Sequence, residues 1–167
     1  FKLRDTREIL GVNSRYELSI AAEILQKKIN KEYMINGVGI IDPKSTYIEY
    51  GATIERDVMI YPGTRIDRKS VIKEGTEIYS STIKNSTIGE DVIIRSSEIE
   101  DSSIGRGTTV GPYAHLRPNS HVGENCKIGN FVEVKNSNVG DGSKMSHLAY
   151  IGDADVGSGV NIGCGVV

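Results

Sequence analysis

The sequence predicts a mainly β protein in which a parallel β-helix of hexapeptide repeats follows a single α-helix. The main observation is a period: an aliphatic residue returns every five or six positions from Ile48 to Ile162. A period of six fits neither an amphipathic helix nor an alternating strand, and it is typical of short strands wrapped around a three-sided prism. The chain also has 19 Gly and only 6% aromatic residues, which suits a solenoid built from Ile and Val.

The aliphatic residues that mark this period are called landmarks here, and each is expected to point into the prism. Three steps close one coil of about 18 residues, which predicts about seven coils. Many landmarks are followed by a glycine, such as Gly105 or Gly123, and we expect these glycines at tight corners because Gly adopts turn conformations without a Cβ penalty. The landmarks are Ile48, Ile54, Ile60, Ile66, Ile72, Ile78, Ile83, Ile88, Ile94, Ile99, Ile104, Val110, Leu116, Val122, Ile128, Val134, Val139, Met145, Ile151, Val156 and Ile162.

Composition excludes several classes of protein. A chain of 167 residues is long enough for one domain with a sizeable core, and a net charge of −2 argues against nucleic acid as the main partner. No apolar run reaches the length of a membrane span, and the charged N-terminus does not resemble a signal peptide. The two cysteines, Cys126 and Cys164, do not make a disulfide framework. We expect both to be reduced, small fillers in a cytoplasmic protein.

The segment before the prism is expected to contain the end of a preceding domain and one helix. Residues 1–12 have no period and no initiator Met, so we interpret them as the end of a preceding domain. Ser14 and Glu17 form a capping-box pair at the start of a linker helix within residues 13–37, which Asn36 and Gly37 end. Residues 38–167 form the β-helix domain, which stops mid-coil without a cap. The predicted apolar face of the helix contains Leu18, Ala22, Leu25 and Ile29.

Repeat arithmetic brings two cations together. Arg117 directly follows landmark Leu116, Lys135 directly follows landmark Val134, and these landmarks are one coil apart. The two cations should therefore stack about 4.8 Å apart, which is unfavourable unless an anion lies between them. One interpretation is a phosphate clamp. The other is an exposed pair relieved by nearby Glu133 or by solvent.

Three histidines, at positions 115, 121 and 147, raise further possibilities. His147 lies near Tyr150 and is either a general base or a surface residue at a corner. A metal shared by all three histidines is a weaker hypothesis, because residues six apart lie on different faces of the prism. Asn161 is either a coil-stacking residue or a substrate contact. No Gly-rich loop opens a helix, so the sequence does not support a dinucleotide site.

Several motifs together resemble the GlmU family of bifunctional N-acetylglucosamine-1-phosphate uridyltransferases and glucosamine-1-phosphate acetyltransferases. The resemblance covers essentially the whole chain. Its motifs are Gly-Val-Asn-Ser-Arg (11–15), Asn-Gly-Val-Gly-Ile-Ile-Asp-Pro (36–43), Val-Gly-Pro-Tyr-Ala-His-Leu-Arg-Pro (110–118), Gly-Asn-Phe-Val-Glu-Val-Lys (129–135), Ser-His-Leu-Ala-Tyr-Ile-Gly-Asp-Ala (146–154) and Val-Asn-Ile-Gly-Cys-Gly (160–165).

This resemblance implies an N-terminal uridyltransferase domain, a helical arm and a left-handed β-helix that forms a homotrimer. The β-helix would transfer an acetyl group from acetyl-CoA to the amine of glucosamine-1-phosphate, giving N-acetylglucosamine-1-phosphate for UDP-N-acetylglucosamine synthesis. By motif, His147 is similar to the general base, and Arg117 and Lys135 are similar to the phosphosugar ligands. The remaining residues singled out by the resemblance are Tyr150 and Asn161 as sugar contacts, Cys164 on the acetyl-CoA side, and Asn13, which helps to hold Mg²⁺ and nucleotide in the uridyltransferase.

The chain also departs from the family pattern. Residues 1–12 match only the end of the uridyltransferase domain, so Asn13 has no complete site there. The sequence ends before the segments that supply much of the acetyl-CoA contact, and we therefore expect low or no acetyl transfer. The alternative is a non-catalytic, trimerising or regulatory β-helix of a sugar nucleotidyltransferase. The set Arg117, Lys135, His147 and Tyr150 favours the enzyme, because a purely structural prism has no use for it.

Overall fold

The computed structural model describes residues 11–167, so most of the predicted remnant at residues 1–12 lies outside the described residues. The described residues form one α-helix and 20 short strands. No helix among them has both the length and the apolar character that crossing a membrane requires. The elements are α1 (Arg15–Ile35), β1 (Gly39–Ile40), β2 (Tyr47–Ile48), β3 (Thr53–Ile54), β4 (Met59–Ile60), β5 (Arg65–Ile66), β6 (Val71–Ile72), β7 (Glu77–Tyr79), β8 (Thr82–Lys84), β9 (Thr87–Ile88), β10 (Ile93–Arg95), β11 (Glu98–Glu100), β12 (Ser103–Ile104), β13 (Thr109–Val110), β14 (His115–Leu116), β15 (His121–Val122), β16 (Lys127–Lys135), β17 (Asn138–Val139), β18 (Lys144–Gly152), β19 (Asp155–Val156) and β20 (Asn161–Ile162).

Helix α1 begins and ends where the sequence predicts. The Ser14 hydroxyl accepts a hydrogen bond from the backbone N–H of Glu17 at 3.1 Å, which satisfies one of the unpaired donors of the first turn. Asn36 follows the last helical residue, and Gly37 leaves the helix with a φ of +96°. Glycine is favoured there because a Cβ disfavours this left-handed conformation.

Only the C-terminal half of α1 is anchored on the prism. Ile29 and Asn30 are buried, and the Asn30 amide donates to two backbone carbonyls of the prism. The predicted apolar face is wrong for the first turns, since Leu18 and Leu25 are 56% and 54% exposed. The hydrogen bonds from the helix to the prism begin only at Gln26, so the earlier apolar residues have no prism surface to cover them.

The strands form the three faces of a prism, and all their pairings are parallel. Face 1 contains β1, β4, β7, β10 and β13, the first parts of β16 and β18, and β20. Face 2 contains β2, β5, β8, β11 and β14, with the second parts of β16 and β18. Face 3 contains β3, β6, β9, β12, β15, β17 and β19. The fold is the predicted single-stranded, left-handed parallel β-helix of about seven coils, preceded by one α-helix.

The landmarks form the core, as predicted. Along each strand a buried landmark alternates with outward residues, and landmarks of successive coils pair directly, for example Leu116 with Val134. Only Ile54, Val156 and Ile162 are partly buried, and they pack against the rest of the core. The stacked aliphatic side chains bury apolar area along the whole prism, which is the main favourable term for this fold.

The first strand of the prism precedes the first landmark, and it lies inside the β-helix domain predicted from residue 38. β1 pairs with β4 so that Gly39 lies beside Met59 and Ile40 beside Ile60, and Ile40 is buried. The first strand of face 1 therefore lies outside the repeat period, which begins at Ile48. The period does not detect β1 because the turn at Pro43 makes the interval from Ile40 to Ile48 longer than six residues.

A second inward row consists of small polar residues two positions before the landmarks. Their hydroxyls join successive coils: Ser120 donates to the carbonyls of Arg117 (2.7 Å) and Val134 (3.0 Å). Cys126 occupies one of these positions, and burial raises the pKa of its thiol. Buried hydroxyls of this row belong to Thr46, Thr64, Ser70, Thr76, Ser81, Ser86, Ser97, Ser102, Thr108, Ser120, Ser137 and Ser143. Each is close to a backbone group that it can satisfy, so the row adds hydrogen bonds inside the prism.

Among the glycines that directly follow landmarks, Gly111 has the left-handed φ (+95°) expected of a turn, but others are required for a different reason. Gly105 and Gly123 lie outside the left-handed region. They are required by close approach, because a Cβ added to Gly105 would lie 2.5 Å from the carbonyl carbon of Gly123 on the next coil. The left-handed corner positions are filled by other residues, including Gly107 and Gly142.

The inward and outward sides of one strand predict different sensitivities to truncation. Ile72 of β6 is fully buried, and its neighbour Val71 points outward and is partly exposed. Ile72→Ala should lower the free energy of unfolding by about 2–5 kcal/mol, because it removes buried apolar groups and leaves a cavity. Val71→Ala is the control and should cost less than about 1 kcal/mol. Urea denaturation measures both, and equal losses would contradict the alternation.

Candidate active site

Face 2 carries two columns of outward side chains near the C-terminal end of the prism. In the first column, His115 of β14, Glu133 of β16 and Tyr150 of β18 lie in direct register. In the second, Arg117, Lys135 and Gly152 follow the landmarks of the same strands. The two columns flank the buried landmark row, so their side chains share one outer surface.

Arg117 and Lys135 stack on neighbouring coils, which confirms the repeat arithmetic. The backbone N–H of Arg117 donates to the carbonyl of Val134 at 2.8 Å and fixes this register. Each cation also has a carboxylate nearby: Arg117 Nη1 lies 2.8 Å from Glu133 Oε1, and Lys135 Nζ lies 3.8 Å from Asp153 Oδ2. The two cations therefore do not face each other without compensation.

The Arg117–Glu133 pair is well aligned but open to solvent. The Arg117 and Glu133 side chains are 41% and 38% exposed. The hydrogen bond from Arg117 to Glu133 raises the pKa of the guanidinium, so Arg117 is charged at any accessible pH. A pair at this exposure adds little to stability, and the guanidinium can exchange its carboxylate for another anion.

His147 lies at the corner between face 1 and face 2. β16 and β18 are nine residues long because they continue around this corner, where Asn130 pairs with His147. The His147 side chain is exposed, and Leu148 after it has a φ of +50°. Tyr150, three residues further on, lies on face 2 beside Glu133.

Cys164 lies on the same corner, one coil beyond His147. β18 and β20 pair Lys144 with Asn161, an offset of 17 residues. The hydrogen bond from Gly165 N–H to Leu148 O (2.8 Å) continues that register into the corner. Cys164 is exposed, so its predicted role as a buried filler is wrong in this chain.

The structure therefore divides the predicted site residues into groups. Arg117, Lys135 and Tyr150 share face 2, and His147 and Cys164 share the adjacent corner. Asn161 lies on face 1 beside Lys144 and points away from face 2. Asn13 precedes the helix cap, and its backbone N–H donates to the Glu17 carboxylate at 2.7 Å, remote in the fold from the other site residues.

The structure also adds residues that the sequence did not single out as site residues. The sequence indicates Glu133 only as a charge that relieves the cation pair, and His115 only as a metal ligand. His115 lies directly beside Glu133, and its Nε2 atom is buried with no hydrogen-bond partner among residues 11–167. His115 and Glu133 directly precede the landmarks Leu116 and Val134, which are one coil apart. The repeat spacing alone therefore predicts that they lie side by side. Among residues 11–167, no group of three His, Cys, Asp or Glu side chains is arranged to hold a metal ion.

An open cavity of about 490 Å³ lies on face 3, away from these residues. Its polar wall, the side chains of His121, Asn138 and Asp155, is accompanied by lining valines and glycines of the same three coils. The Asn138 amide donates to the Asp155 carboxylate at 2.6 Å, and His121 Nδ1 lies 2.8 Å from the Ser103 hydroxyl. The side chains of this wall are therefore already partnered along the prism.

Comparisons with known proteins define the class first. Residues 101–136 match the family described as bacterial transferase hexapeptide (six repeats). Among solved structures, the acetyltransferase domain of PglB from Neisseria gonorrhoeae in complex with acetyl coenzyme A superimposes with a TM-score of 0.55. It is 15% identical, and the match covers 83% of this chain and 62% of that one. At this identity the likeness shows the fold, a hexapeptide-repeat β-helix.

Sequence relatives are more specific. The chain is 56% identical over 161 residues to the bifunctional protein GlmU of Clostridioides difficile (strain 630), a match that covers 96% of this chain and 35% of the relative. It is 52% identical over 168 residues to the bifunctional protein GlmU of Alkaliphilus oremlandii (strain OhILAs), covering 100% of this chain and 37% of the relative. The chain belongs to the GlmU family and spans about a third of the length of these relatives.

Proposed function

We propose that this chain carries the acceptor half of a glucosamine-1-phosphate N-acetyltransferase site. The reaction transfers the acetyl group of acetyl-CoA to the amine of glucosamine-1-phosphate, giving N-acetylglucosamine-1-phosphate and free CoA thiol. The observation that carries the proposal is the stack of Arg117 on Lys135, with Tyr150 on the same face, in a chain 56% identical to a GlmU protein.

The stacked cations are suited to a phosphate monoester. A guanidinium presents a planar fork to phosphate oxygens, and an ammonium one coil away adds a compact charge. A dianion placed between them would remove the repulsion between the two cations and would compete with Glu133 and Asp153 for them. Tyr150 on face 2 and Asn161 on face 1 would hydrogen-bond the sugar hydroxyls.

His147 is the proposed general base. Its imidazole would take a proton from the amine as the nitrogen attacks the thioester carbon and the C–S bond breaks. Its corner position places it next to face 2, which would hold the acceptor, and beside Cys164, which would line the acetyl-CoA side. The base would thus lie between the two substrates.

We further propose a homotrimer in which neighbouring chains complete each site. Asn161 and Tyr150 lie on different outer faces, so one chain cannot turn both towards the same sugar. Packing face 1 of one chain against face 2 of the next would bring them together. Apolar residues on the corner between these faces support the arrangement: Tyr113, Phe131 and Leu148 are 61%, 56% and 54% exposed, and the rings of Tyr113 and Phe131 stack 5.5 Å apart.

The predicted domain division forms part of the proposal. Residues 1–12 would be the end of a uridyltransferase domain, residues 13–37 a linker helix and residues 38–167 the acetyltransferase β-helix of a cytoplasmic enzyme. Asn13 would help to hold Mg²⁺ and nucleotide in the uridyltransferase.

One observation favours the alternative, a non-catalytic β-helix that trimerises or regulates a sugar nucleotidyltransferase. Arg117 and Lys135 already have carboxylate partners, as expected of a solvated structural face. This alternative predicts no affinity for a sugar phosphate, and a binding measurement therefore separates the two functions.

Glucosamine-1-phosphate should bind the chain and lose affinity in Arg117→Ala. Truncation removes the phosphate fork, and we expect the Kd to rise by at least tenfold, consistent with loss of a charge-assisted hydrogen bond. Isothermal titration calorimetry measures the affinity. Lys84→Ala is the matched control: Lys84 lies on face 2 and pairs with Glu100 at 2.6 Å, and its loss should leave the Kd within about twofold. Absence of binding by the folded wild-type chain would overturn the proposal.

His147→Ala should separate binding from chemistry. Because a general base acts on the proton that leaves the amine, the Kd for glucosamine-1-phosphate should stay within about threefold of wild type. Release of CoA thiol from acetyl-CoA, which we expect to be low for this chain, should fall further, to background. His121→Ala on face 3 is the control and should not change the rate. Thiol release that survives in His147→Ala would exclude His147 as the base.

Phe131→Asp should shift the assembly from three chains to one. It places a charge in the apolar corner, and Asp tolerates the left-handed conformation of this position (φ +56°) better than Phe does. Phe131→Leu keeps the corner apolar, as at Leu148, and should remain trimeric. Light scattering coupled to gel filtration measures the mass. An unchanged mass in the Asp variant would show that this corner is not the contact.

A further inference from the structure

His115 has an unexplained polar atom. Its Nε2 is buried and has no hydrogen-bond partner among the described residues. Buried polar atoms of folded proteins are nearly always paired, and an unpaired one calls for an explanation such as a partner gained in another state. His115 is part of β14 on face 2, two residues before Arg117, so this residue is next to the proposed phosphate ligand.

Carboxylates flank His115 on both neighbouring coils. Glu98 of β11 and Glu133 of β16 are its direct cross-strand partners in the same column. On the adjacent column of face 2, Arg117 lies on the same coil as His115, and Glu100 and Lys135 lie on the two neighbouring coils. Glu100 is paired with Lys84 at 2.6 Å, and Glu133 is paired with Arg117 at 2.8 Å. Glu98 and Glu133 are therefore the carboxylates that His115 could meet without any change in register.

The Arg117–Glu133 pair creates a problem for the proposed substrate. A phosphate dianion that takes the Arg117 guanidinium displaces the Glu133 carboxylate or is held beside it. A carboxylate left unpaired next to phosphate is unfavourable, since like charges at contact distance repel. Binding would be easier if a second donor accepted Glu133 at the same moment.

We propose that His115 is a positioning residue that receives the Glu133 carboxylate when Arg117 turns to the substrate phosphate. The inference rests on the proposed function. In the tautomer that carries the proton on Nε2, or as the imidazolium, His115 donates to Glu133 and holds it away from the phosphate. Nothing is transferred covalently: one hydrogen bond from Arg117 to Glu133 is replaced by one from His115 to Glu133 and one from Arg117 to phosphate.

Glu133 is the partner, rather than Glu98, for a structural reason. Only Glu133 is bonded to the guanidinium that the phosphate needs. Glu98 lies on the coil before His115. Glu133 lies on the coil after it, which also contains Lys135. Glu98 is therefore the matched control: it has the same side chain, the same column and the same cross-strand relation to His115.

Two amide substitutions test the donor. In His115→Gln the amide nitrogen reaches the Nε2 position, whereas in His115→Asn it reaches only the Nδ1 position. Calorimetric titration of glucosamine-1-phosphate into the chain should give a Kd within about threefold of wild type for Gln and about tenfold weaker for Asn. Circular dichroism and urea midpoints establish that both variants fold. A purely structural role would not separate the two amides by reach in this way.

Combining His115→Asn with a substitution of Glu133 or Glu98 tests whether His115 acts through Glu133. Glu133→Gln alone should bind as tightly as wild type or more tightly, because the competing charge is removed. In that background His115→Asn should change the Kd by less than twofold, whereas in Glu98→Gln it should still cost about tenfold. The role of His115 would be overturned if His115→Asn raised the Kd equally in the wild-type, Glu133→Gln and Glu98→Gln backgrounds. It would also be overturned if Glu133→Gln alone bound glucosamine-1-phosphate more weakly than wild type.

These failures differ from failure of the proposed function. If the folded wild-type chain does not bind glucosamine-1-phosphate, the acceptor site itself is refuted, and the role of His115 falls with it. If the wild type binds and Arg117→Ala does not, but His115→Asn equals His115→Gln, only the positioning role is refuted.

Discussion

The parallel hydrogen-bond register between successive coils is the constraint on which the rest of this protein depends. Backbone N–H groups of one coil donate to carbonyls of a neighbouring coil, as Arg117 does to Val134. Because side chains alternate across a strand, this register decides at once which residues enter the core and which form outer columns. A shift of one residue would turn the landmark row outward and break up the columns of face 2.

The same register brings the proposed site residues together where the strands lengthen. For most of the prism, two-residue strands are separated by corners that only reverse the chain. At β16 and β18 the strands continue around the corner between face 1 and face 2, and each is nine residues long. His147 and Cys164 share that corner, while Lys135 and Tyr150 lie on the adjacent face. An acceptor bound on face 2 would therefore lie next to the proposed base.

The ion pairs on face 2 contribute little to stability. In the proposed function, their carboxylates can be exchanged for the substrate phosphate. The Arg117–Glu133 and Lys135–Asp153 pairs are exposed, and such pairs contribute little to folding. They keep two stacked cations compensated until an anion arrives. His115, with its unpaired Nε2, supplies the place to which Glu133 can move.

The sequence by itself determined the prism and the stacking of Arg117 on Lys135, because a fixed period and the landmark rows are properties of spacing alone. It also determined the ends of α1, through Ser14, Asn36 and Gly37. Only the tertiary structure decided the rest. The turn at Pro43 hides β1 from the period, and glycines such as Gly105 are required by the approach of the next coil rather than by a turn. The pairing of Arg117 with Glu133, the burial of His115 Nε2 and the separation of Asn161 from Tyr150 depend on side-chain contacts and on which face each strand joins, and a repeat length does not specify either.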